Sequence, residues 1–317
     1  MAVQIAVIDD WQDVARGVVD WSPLETIGQV EFIHDYPADN ASLAGRLGGF
    51  EVICVMRERT RFDEDLLRRL PNLKLLVTGG MRNAALDLKA AVALGIQVCG
   101  TDSYKHAAPE LTWALIMAAT RNLVLEANAL RAGKWQQGLG GDLHGKTLAI
   151  LGLGSIGQRV ARFGQVFGMR VIAWSENLTA ERAAEAGVTL VSKQALFEQA
   201  DVLSVHLVLS ERSRGLVDAQ ALAWMKPTAL LVNTARGPIV DEAALIKALQ
   251  KQRLGGAALD VFEQEPLPEY HPFRTLDNVL ATPHVGYVSQ QNYQLFFAQM
   301  IEDIQAWSAG QPIRLLS

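Results

Sequence analysis

Residues 146–173, KTLAILGLGSIGQRVARFGQVFGMRVIA, admit few folds. Thr147-Leu148-Ala149-Ile150-Leu151 is a continuous apolar run of the kind that makes a strand buried on both faces. Gly152, Gly154 and Gly157 follow in the G-x-G-x-x-G spacing. Ile156, Val160, Phe163 and Phe167 then recur at helical intervals, and Gly168 reads as a stop before a second buried strand over 170–174. Each glycine has a physical task. The first makes a tight turn, the second lets backbone approach a pyrophosphate, and the third lets helix and strand pack closely. The helix N-terminus adds free N–H groups and the positive end of its dipole. An ordinary βα turn can carry glycines for packing alone. The strand before, the helix after and the strand closing the unit select the dinucleotide-binding reading, in which Ser155 and Ile156 join the three glycines.

The remaining bounds are permissive. A chain of 317 residues is long enough for two domains. Its formal charge of −5, with no basic cluster, argues against a nucleic-acid partner. No apolar run reaches the roughly 18 residues of a membrane span. Residues 1–10 lack a basic n-region and read as a strand, not a signal peptide. Cys54 and Cys99 lie in apolar runs, EVICVM and IQVCGT, as small buried hydrophobes of a reducing compartment. A cytoplasmic protein is expected, with no metal site.

Strand and helix patterns alternate along the whole chain. Strands are expected over 4–8, 31–34, 52–56, 74–77 and 96–99, with helices over 42–47, 63–70 and 86–94. That is a small doubly wound parallel sheet, with its ligand face at the strand C-termini. The loops there carry Asp9-Asp10-Trp11, Arg57-Glu58-Arg59 and Thr78-Gly79-Gly80-Met81-Arg82-Asn83. The last could grip an anion through backbone N–H groups and Arg82, although Arg57, Arg59 and Arg82 also read as solvated surface residues. A long helix over 109–130 follows, with Pro109 and Glu110 in its first turn. Beyond the glycine unit come strands over 200–205, 229–233, 256–260 and 279–282, and helices over 180–186, 193–198, 218–225 and 241–250. A final helix over 290–309 can return to the first domain. The fold class expected is therefore α/β, with two doubly wound parallel-sheet domains. A dinucleotide-binding domain over 102–287 is inserted in a substrate-binding domain formed by 1–101 and 288–317.

Three strand ends carry residues suited to one chemistry. ALLVN is followed by Thr234-Ala235-Arg236-Gly237-Pro238, GAALD by Val261-Phe262-Glu263-Gln264-Glu265-Pro266, and VLAT by Pro283-His284-Val285-Gly286. Arg236 offers a planar fork for a carboxylate. His284 can give a proton to a carbonyl, and a neighbouring carboxylate favours its charged form. Singly, each is more often structural. Jointly, on successive strand ends of a dinucleotide domain, they read as catalytic.

The ordered motifs GLGSIGQRVARFGQVFGMRV, ADVLSVHLVLSERSRGLV, LLVNTARGPIVDEAAL, GGAALDVFEQEPL and NVLATPHVG resemble those of the D-isomer-specific 2-hydroxyacid dehydrogenases over nearly the whole chain. The resemblance implies a Rossmann domain inserted in a flavodoxin-like substrate domain, and a homodimer. It implies hydride transfer between NAD(P)H and a 2-keto acid, as in hydroxypyruvate and glyoxylate reductases. Arg236 would then bind the substrate, His284 act as acid/base and Glu265 tune it. Asp260 would approach the nicotinamide, with His206, Thr234, Ala235 and Gly286 as further cofactor contacts. Met81, Arg82 and Asn83 would hold the substrate carboxylate. The family also contains corepressors, so a dinucleotide-sensing interaction protein is the alternative. Where the family usually has aspartate closing the second strand, this chain has Ser175 followed by Glu176. Serine admits a 2′-phosphate, whereas Glu176 disfavours it, so NADP is open and the balance leans to NAD. Val208 stands where proline is common, and Arg82 where a second glycine is, which suggests a differently shaped substrate pocket.

Overall fold

The computed structural model describes residues 2–34 and 39–316. The chain divides into two compact units, one of residues 1–104 and 288–317, the other of residues 105–287. In the first, β1 (Val3–Val7), α1 (Ala15–Val18), β2 (Gly28–Phe32), α2 (Asn40–Leu47) and β3 (Val52–Val55) follow in order. Then come α3 (Glu64–Arg68), β4 (Leu75–Thr78), α4 (Leu88–Ala93) and β5 (Gln97–Gly100). All pairings are parallel, in the order β2-β1-β3-β4-β5. β3 and β4 are buried at every position, which is why their sequences are uninterrupted apolar runs rather than alternating ones. Asp39, Asp63 and Asp87 begin α2, α3 and α4, each accepting a backbone N–H from the first turn.

The second unit opens with α5 (Ala107–Thr120) and α6 (Leu123–Arg131), followed by β6 (Thr147–Leu151), α7 (Ser155–Val166) and β7 (Arg170–Trp174). Next are α8 (Ala180–Glu185), β8 (Thr189–Leu190), α9 (Lys193–Gln199), β9 (Val202–Val205) and α10 (Ala219–Trp224). β10 (Leu230–Asn233), α11 (Glu242–Gln250), β11 (Gly256–Leu259) and β12 (Val279–Ala281) complete it. Its seven parallel strands run β12-β11-β10-β9-β6-β7-β8. The chain leaves β6 toward β7 and later returns to β9 on the other side. This reversal of strand order opens a crevice at the C-terminal ends of β6 and β9.

The last helix, α12 (Gln290–Ser308), belongs to the first unit, where Tyr293, Phe296, Phe297 and Met300 are buried. The Trp21 and Phe297 rings lie 5.7 Å apart there. Cys54 and Cys99 are free and buried, and burial pushes the Cys99 thiol up to about 12, which makes both poor nucleophiles. Among the described residues no helix is long and apolar enough to cross a membrane.

Two local expectations fail. The single helix expected over 109–130 is broken at Asn122, which sits in the left-handed region at φ 52°. Asparagine tolerates that conformation, and its side-chain amide donates to the Leu139 carbonyl at 3.3 Å. The strand expected over 31–34 is displaced to Gly28–Phe32, because its register with β1 begins at Val3 opposite Gly28. A Cβ at Gly28 would stand 2.0 Å from the Val3 carbonyl oxygen, so only glycine allows that pairing.

Candidate active site

At the crevice of the seven-stranded sheet, Gly152 leaves β6 with φ 102°, and an added Cβ would lie 2.9 Å from the His206 backbone. A Cβ at Gly157 would stand 2.2 Å from the Gly152 carbonyl oxygen, so the α7–β6 packing depends on its absence. Gly154 is different. Nothing lies within 4 Å of its added Cβ. No side chain caps the N-terminus of α7 at Gly154, so the first-turn donors through Ser155, Ile156 and Gly157 face the crevice. Open space beside uncapped N–H groups is the cradle a pyrophosphate requires. Ser175 follows β7 half-buried, with Glu176 exposed next to it. His206 follows β9, its Nε2 2.8 Å from the Ser204 hydroxyl, and burial pushes the imidazole well below its ordinary value, keeping it neutral.

The strand ends beyond β9 are fixed by side chains that grip backbone. Asn233, the buried last residue of β10, accepts from Ala235 N–H at 3.0 Å and donates to the Arg236 carbonyl at 3.0 Å. That clamp shapes the Thr234-Ala235-Arg236 turn. The Thr234 hydroxyl is 2.7 Å from that of Thr112 on α5. Gly237 then passes so close to Phe262 that a Cβ would lie 2.0 Å from its carbonyl. Asp260 follows β11 with no exposed surface. One carboxylate oxygen accepts from Thr282 Oγ1 at 2.6 Å and Val285 N–H at 2.8 Å, and the other from Gly286 N–H at 2.8 Å. Burial raises its carboxyl above the ordinary aspartate range, a rise that these bonds and the nearby His284 limit without cancelling.

His284 sits on the loop so held, at φ 52°. Its Nδ1 is 2.6 Å from Glu265 Oε2, and the other Glu265 oxygen accepts from Phe262 N–H at 2.9 Å. Tyr287 meets the imidazole edge-on, with centroids 5.5 Å apart. The arrangement leaves Nε2 as the ring's remaining valence. A carboxylate-steadied imidazole on a braced loop can deliver or accept a proton there.

In the first unit, the loop after β4 carries the remaining candidates. Met81 and Arg82 are exposed. The Asn83 side chain is committed to the loop itself, donating to the Arg57 carbonyl and Thr78 Oγ1 and accepting from Ala85 N–H. Gly80 N–H donates to Thr101 Oγ1 at 2.8 Å. Arg57 donates to the Gly79 carbonyl, and Arg59 bonds Tyr293 at 3.1 Å while stacking on Trp11. Both arginines are thus internal struts rather than solvated surface groups.

Asn233, Thr112 and Thr282 were not singled out in the sequence. Asn233 had a usable signal, since asparagine at a strand end favours a local backbone-gripping turn. Thr112 had none, because its partner Thr234 is 122 positions away.

Residues 113–286 match the D-isomer specific 2-hydroxyacid dehydrogenase family in its NAD binding domain. The chain is 39% identical over 261 residues to a glyoxylate reductase of Aeropyrum pernix, covering 79% of this chain and 78% of that protein. It is 35% identical over 292 residues to a D-3-phosphoglycerate dehydrogenase of Methanocaldococcus jannaschii, covering 91% of this chain but only 55% of that protein. A solved phosphoglycerate oxidoreductase from Vibrio cholerae O395 has a TM-score of 0.93 at 40% identity, with 97% and 99% of the two chains covered.

Asp260→Ala would strand two backbone N–H groups and the Thr282 hydroxyl. Each buried unsatisfied donor costs about 1–3 kcal/mol, so denaturant unfolding should show a loss of at least about 2 kcal/mol. A loss below about 0.5 kcal/mol would mean that the 282–286 loop does not depend on this carboxylate.

Proposed function

We propose, for a chain that belongs to the D-isomer specific 2-hydroxyacid dehydrogenases, reduction of a small 2-keto acid to its D-2-hydroxy acid at the C-terminal edge of the seven-stranded sheet. The protein is an oxidoreductase, and its cofactor is a nicotinamide dinucleotide, which when bound supplies the hydride. The observation that carries the residue assignment is the His284–Glu265 pair at 2.6 Å on a loop pinned by Asp260. The relatives named above are oxidoreductases, and the interaction-protein alternative draws no support from them.

Each role follows from local chemistry. Gly152, Gly154, Ser155, Ile156 and Gly157 hold the pyrophosphate on backbone donors, and Ser175 and Glu176 lie where the adenosine ribose is read. His206, Thr234, Ala235 and Gly286 line the path toward the nicotinamide end. Arg236 binds the substrate carboxylate and orients its carbonyl, which supplies proximity and stabilises developing alkoxide charge. His284 gives its Nε2 proton to the carbonyl oxygen as Glu265 steadies the imidazolium. Met81 and Arg82 contact the substrate, while Asn83 shapes their loop. Asp260 acts as a positioning residue, because its carboxylate is already occupied by three donors. Glyoxylate and hydroxypyruvate are the substrates of choice, and the compartment is cytoplasmic, in keeping with two free buried thiols.

His284→Ala should leave cofactor binding nearly intact and lower turnover by roughly 10²–10⁴, the usual worth of a positioned acid. Absorbance at the nicotinamide band with a panel of keto acids reads both proteins. Unchanged turnover in the variant removes His284 from the mechanism, and no turnover in a cofactor-loaded parent removes the reductase reading.

The cofactor reading favours NAD, on the exposed Glu176 carboxylate beside Ser175. Ser175→Asp adds a second anion facing the ribose and should move the ratio of catalytic efficiencies further toward NAD. A charge in a partly open cleft contributes about 1.4 kcal/mol, a factor of about ten in that ratio. A ratio that stays put or moves toward NADP would assign the ribose to Glu176 instead.

The assembly proposed is a homodimer. Leu123, Val124, Leu125 and Leu130 of α6, with Trp135 and Leu139 beyond it, are exposed apolar side chains in one stretch of chain. Light scattering should give twice the 34.6 kDa chain mass, and a monomer mass at micromolar concentration would exclude the dimer.

A further inference from the structure

The loop between β11 and β12 carries Glu265, and two residues that take no part in the proposed proton transfer hold it from outside. Glu242 opens α11, a position where an acidic side chain ordinarily does no more than complement the helix dipole. Here both of its oxygens are spent away from the helix. Oε2 accepts from Glu263 N–H at 3.1 Å, and Oε1 lies 3.0 Å from His271 Nε2. The other ring nitrogen decides the tautomer of His271, since Nδ1 accepts from Phe273 N–H at 3.2 Å. A ring nitrogen that accepts carries no hydrogen, so the hydrogen sits on Nε2 and is donated to Glu242. The His271 side chain is 14% exposed and that of Glu242 23%, so this bond is largely shielded from water.

The anchored segment is the one onto which Glu265 folds back. Gly237 abuts the Phe262–Glu263 peptide so closely that a Cβ there would stand 2.0 Å from the Phe262 carbonyl oxygen and 2.6 Å from the Glu263 nitrogen. Glu242 holds the same peptide through its N–H. Phe262 N–H in turn donates to Glu265 Oε1 at 2.9 Å, and Glu265 Oε2 lies 2.6 Å from His284 Nδ1. Toward the far end of the loop the His271 and Phe273 rings pack 4.9 Å apart, and Phe273 meets Phe262 at 6.2 Å. One carboxylate on α11 therefore ties down the loop on both sides of Glu265. We propose that Glu242 and His271 are positioning residues, which act through Glu265 to hold the His284 imidazole in place for proton transfer. The proposal rests on the assignment of His284 as proton donor. Displacing a reacting group by about 1 Å can cost about a hundredfold in rate, so the tie matters to turnover even at this remove from the proton.

Two substitutions separate the tie to Glu242 from the turn at Phe273. In His271→Gln the side-chain amide takes the place of Nε2 and can still donate to Glu242, whereas Phe273 N–H loses its acceptor. In His271→Asn the side-chain oxygen takes the place of Nδ1 and still caps Phe273 N–H, but the side chain is too short to donate to Glu242. One readout is the hydrogen-bonded His284 Nδ1 proton in ¹H–¹⁵N spectra of ¹⁵N-histidine-labelled protein, identified by its absence in His284→Ala. The other is steady-state turnover of a keto acid. His271→Gln should keep the resonance and most of the parent turnover. His271→Asn should lose the resonance to exchange and lower kcat by about tenfold to a hundredfold, with KM and cofactor affinity within about twofold of the parent. Glu242→Ala should behave as His271→Asn does, and retained cofactor affinity shows that each variant is folded. The reverse order, with Asn tolerated and Gln impaired, would make His271 a turn cap alone and overturn the proposal. Parent-like spectra and turnover in all three variants would overturn it too. A parent that reduces no keto acid yet shows the expected spectral pattern would remove the reductase reading and leave the positioning intact.

Discussion

The buried Asp260 carboxylate is the interaction on which the proposed reacting edge of the seven-stranded sheet depends. A fully buried carboxylate is costly unless its oxygens are met by donors, and here Thr282, Val285 and Gly286 meet them. The arrangement couples β11 to the loop after β12 through side chain rather than through ladder hydrogen bonds. His284 sits on that loop in the left-handed region, which costs a non-glycine residue of order 1 kcal/mol or more. The bonds to Asp260 on one side and the Glu265 contact on the other offset that cost. In the proposed role of proton donor, an imidazole so fixed would need little reorganisation when charge develops near it.

The same device recurs on the adjacent strand and in the other unit. Asn233 closes the Arg236 turn by gripping the backbone on both sides of it. Asn83 does likewise for the loop after β4, bonding Arg57, Thr78 and Ala85. In each case a short polar side chain at a strand end replaces the pairing that the strand has just lost. Loops at the C-terminal edges therefore keep a defined shape without secondary structure of their own. Charge is managed similarly. Arg57 and Arg59 spend their donors on carbonyls and on Tyr293, which leaves Arg82 as the exposed cation of its loop.

Much of this was legible in the sequence, for a physical reason. Parallel strands buried on both faces read as unbroken apolar runs, so β3, β4, β6 and β9 stand out. The glycine spacing was equally plain, because Gly152 and Gly157 are held by backbone contacts that no other residue permits. What escaped was set by distant partners or by single dihedral choices. β8 has only two residues and exists through its pairing with β7. The break at Asn122 is one residue's excursion inside an otherwise helical pattern. The resemblance implied a role for Asp260 at the nicotinamide; its bonds to residues 22 to 26 positions away also make it a brace. Residue type suggested that a carboxylate mattered at that position, but not which groups it would serve.

Asp9 and Asp10 show how neighbouring residues of one type acquire opposite characters. Both are buried at the end of β1. Asp9, at φ 68°, turns inward and places one oxygen on Thr60 Oγ1 at 2.7 Å and the other on Met56 N–H at 3.1 Å. Its valences are spent joining β1 to the loop after β3. Asp10 instead places Oδ2 on Ala15 N–H at the start of α1, while its backbone carbonyl accepts from Asp13 N–H and lies 3.1 Å from His34 Nδ1. Since the same turn satisfies one carboxylate completely and leaves an oxygen of the next without a donor, the shortfall is not a general property of an irregular loop. It is a property of the direction in which Asp10 points. Asp10 Oδ1 meets no hydrogen-bond donor among the described residues, a cost of burial that the short bond from Ala15 N–H to Oδ2 partly offsets.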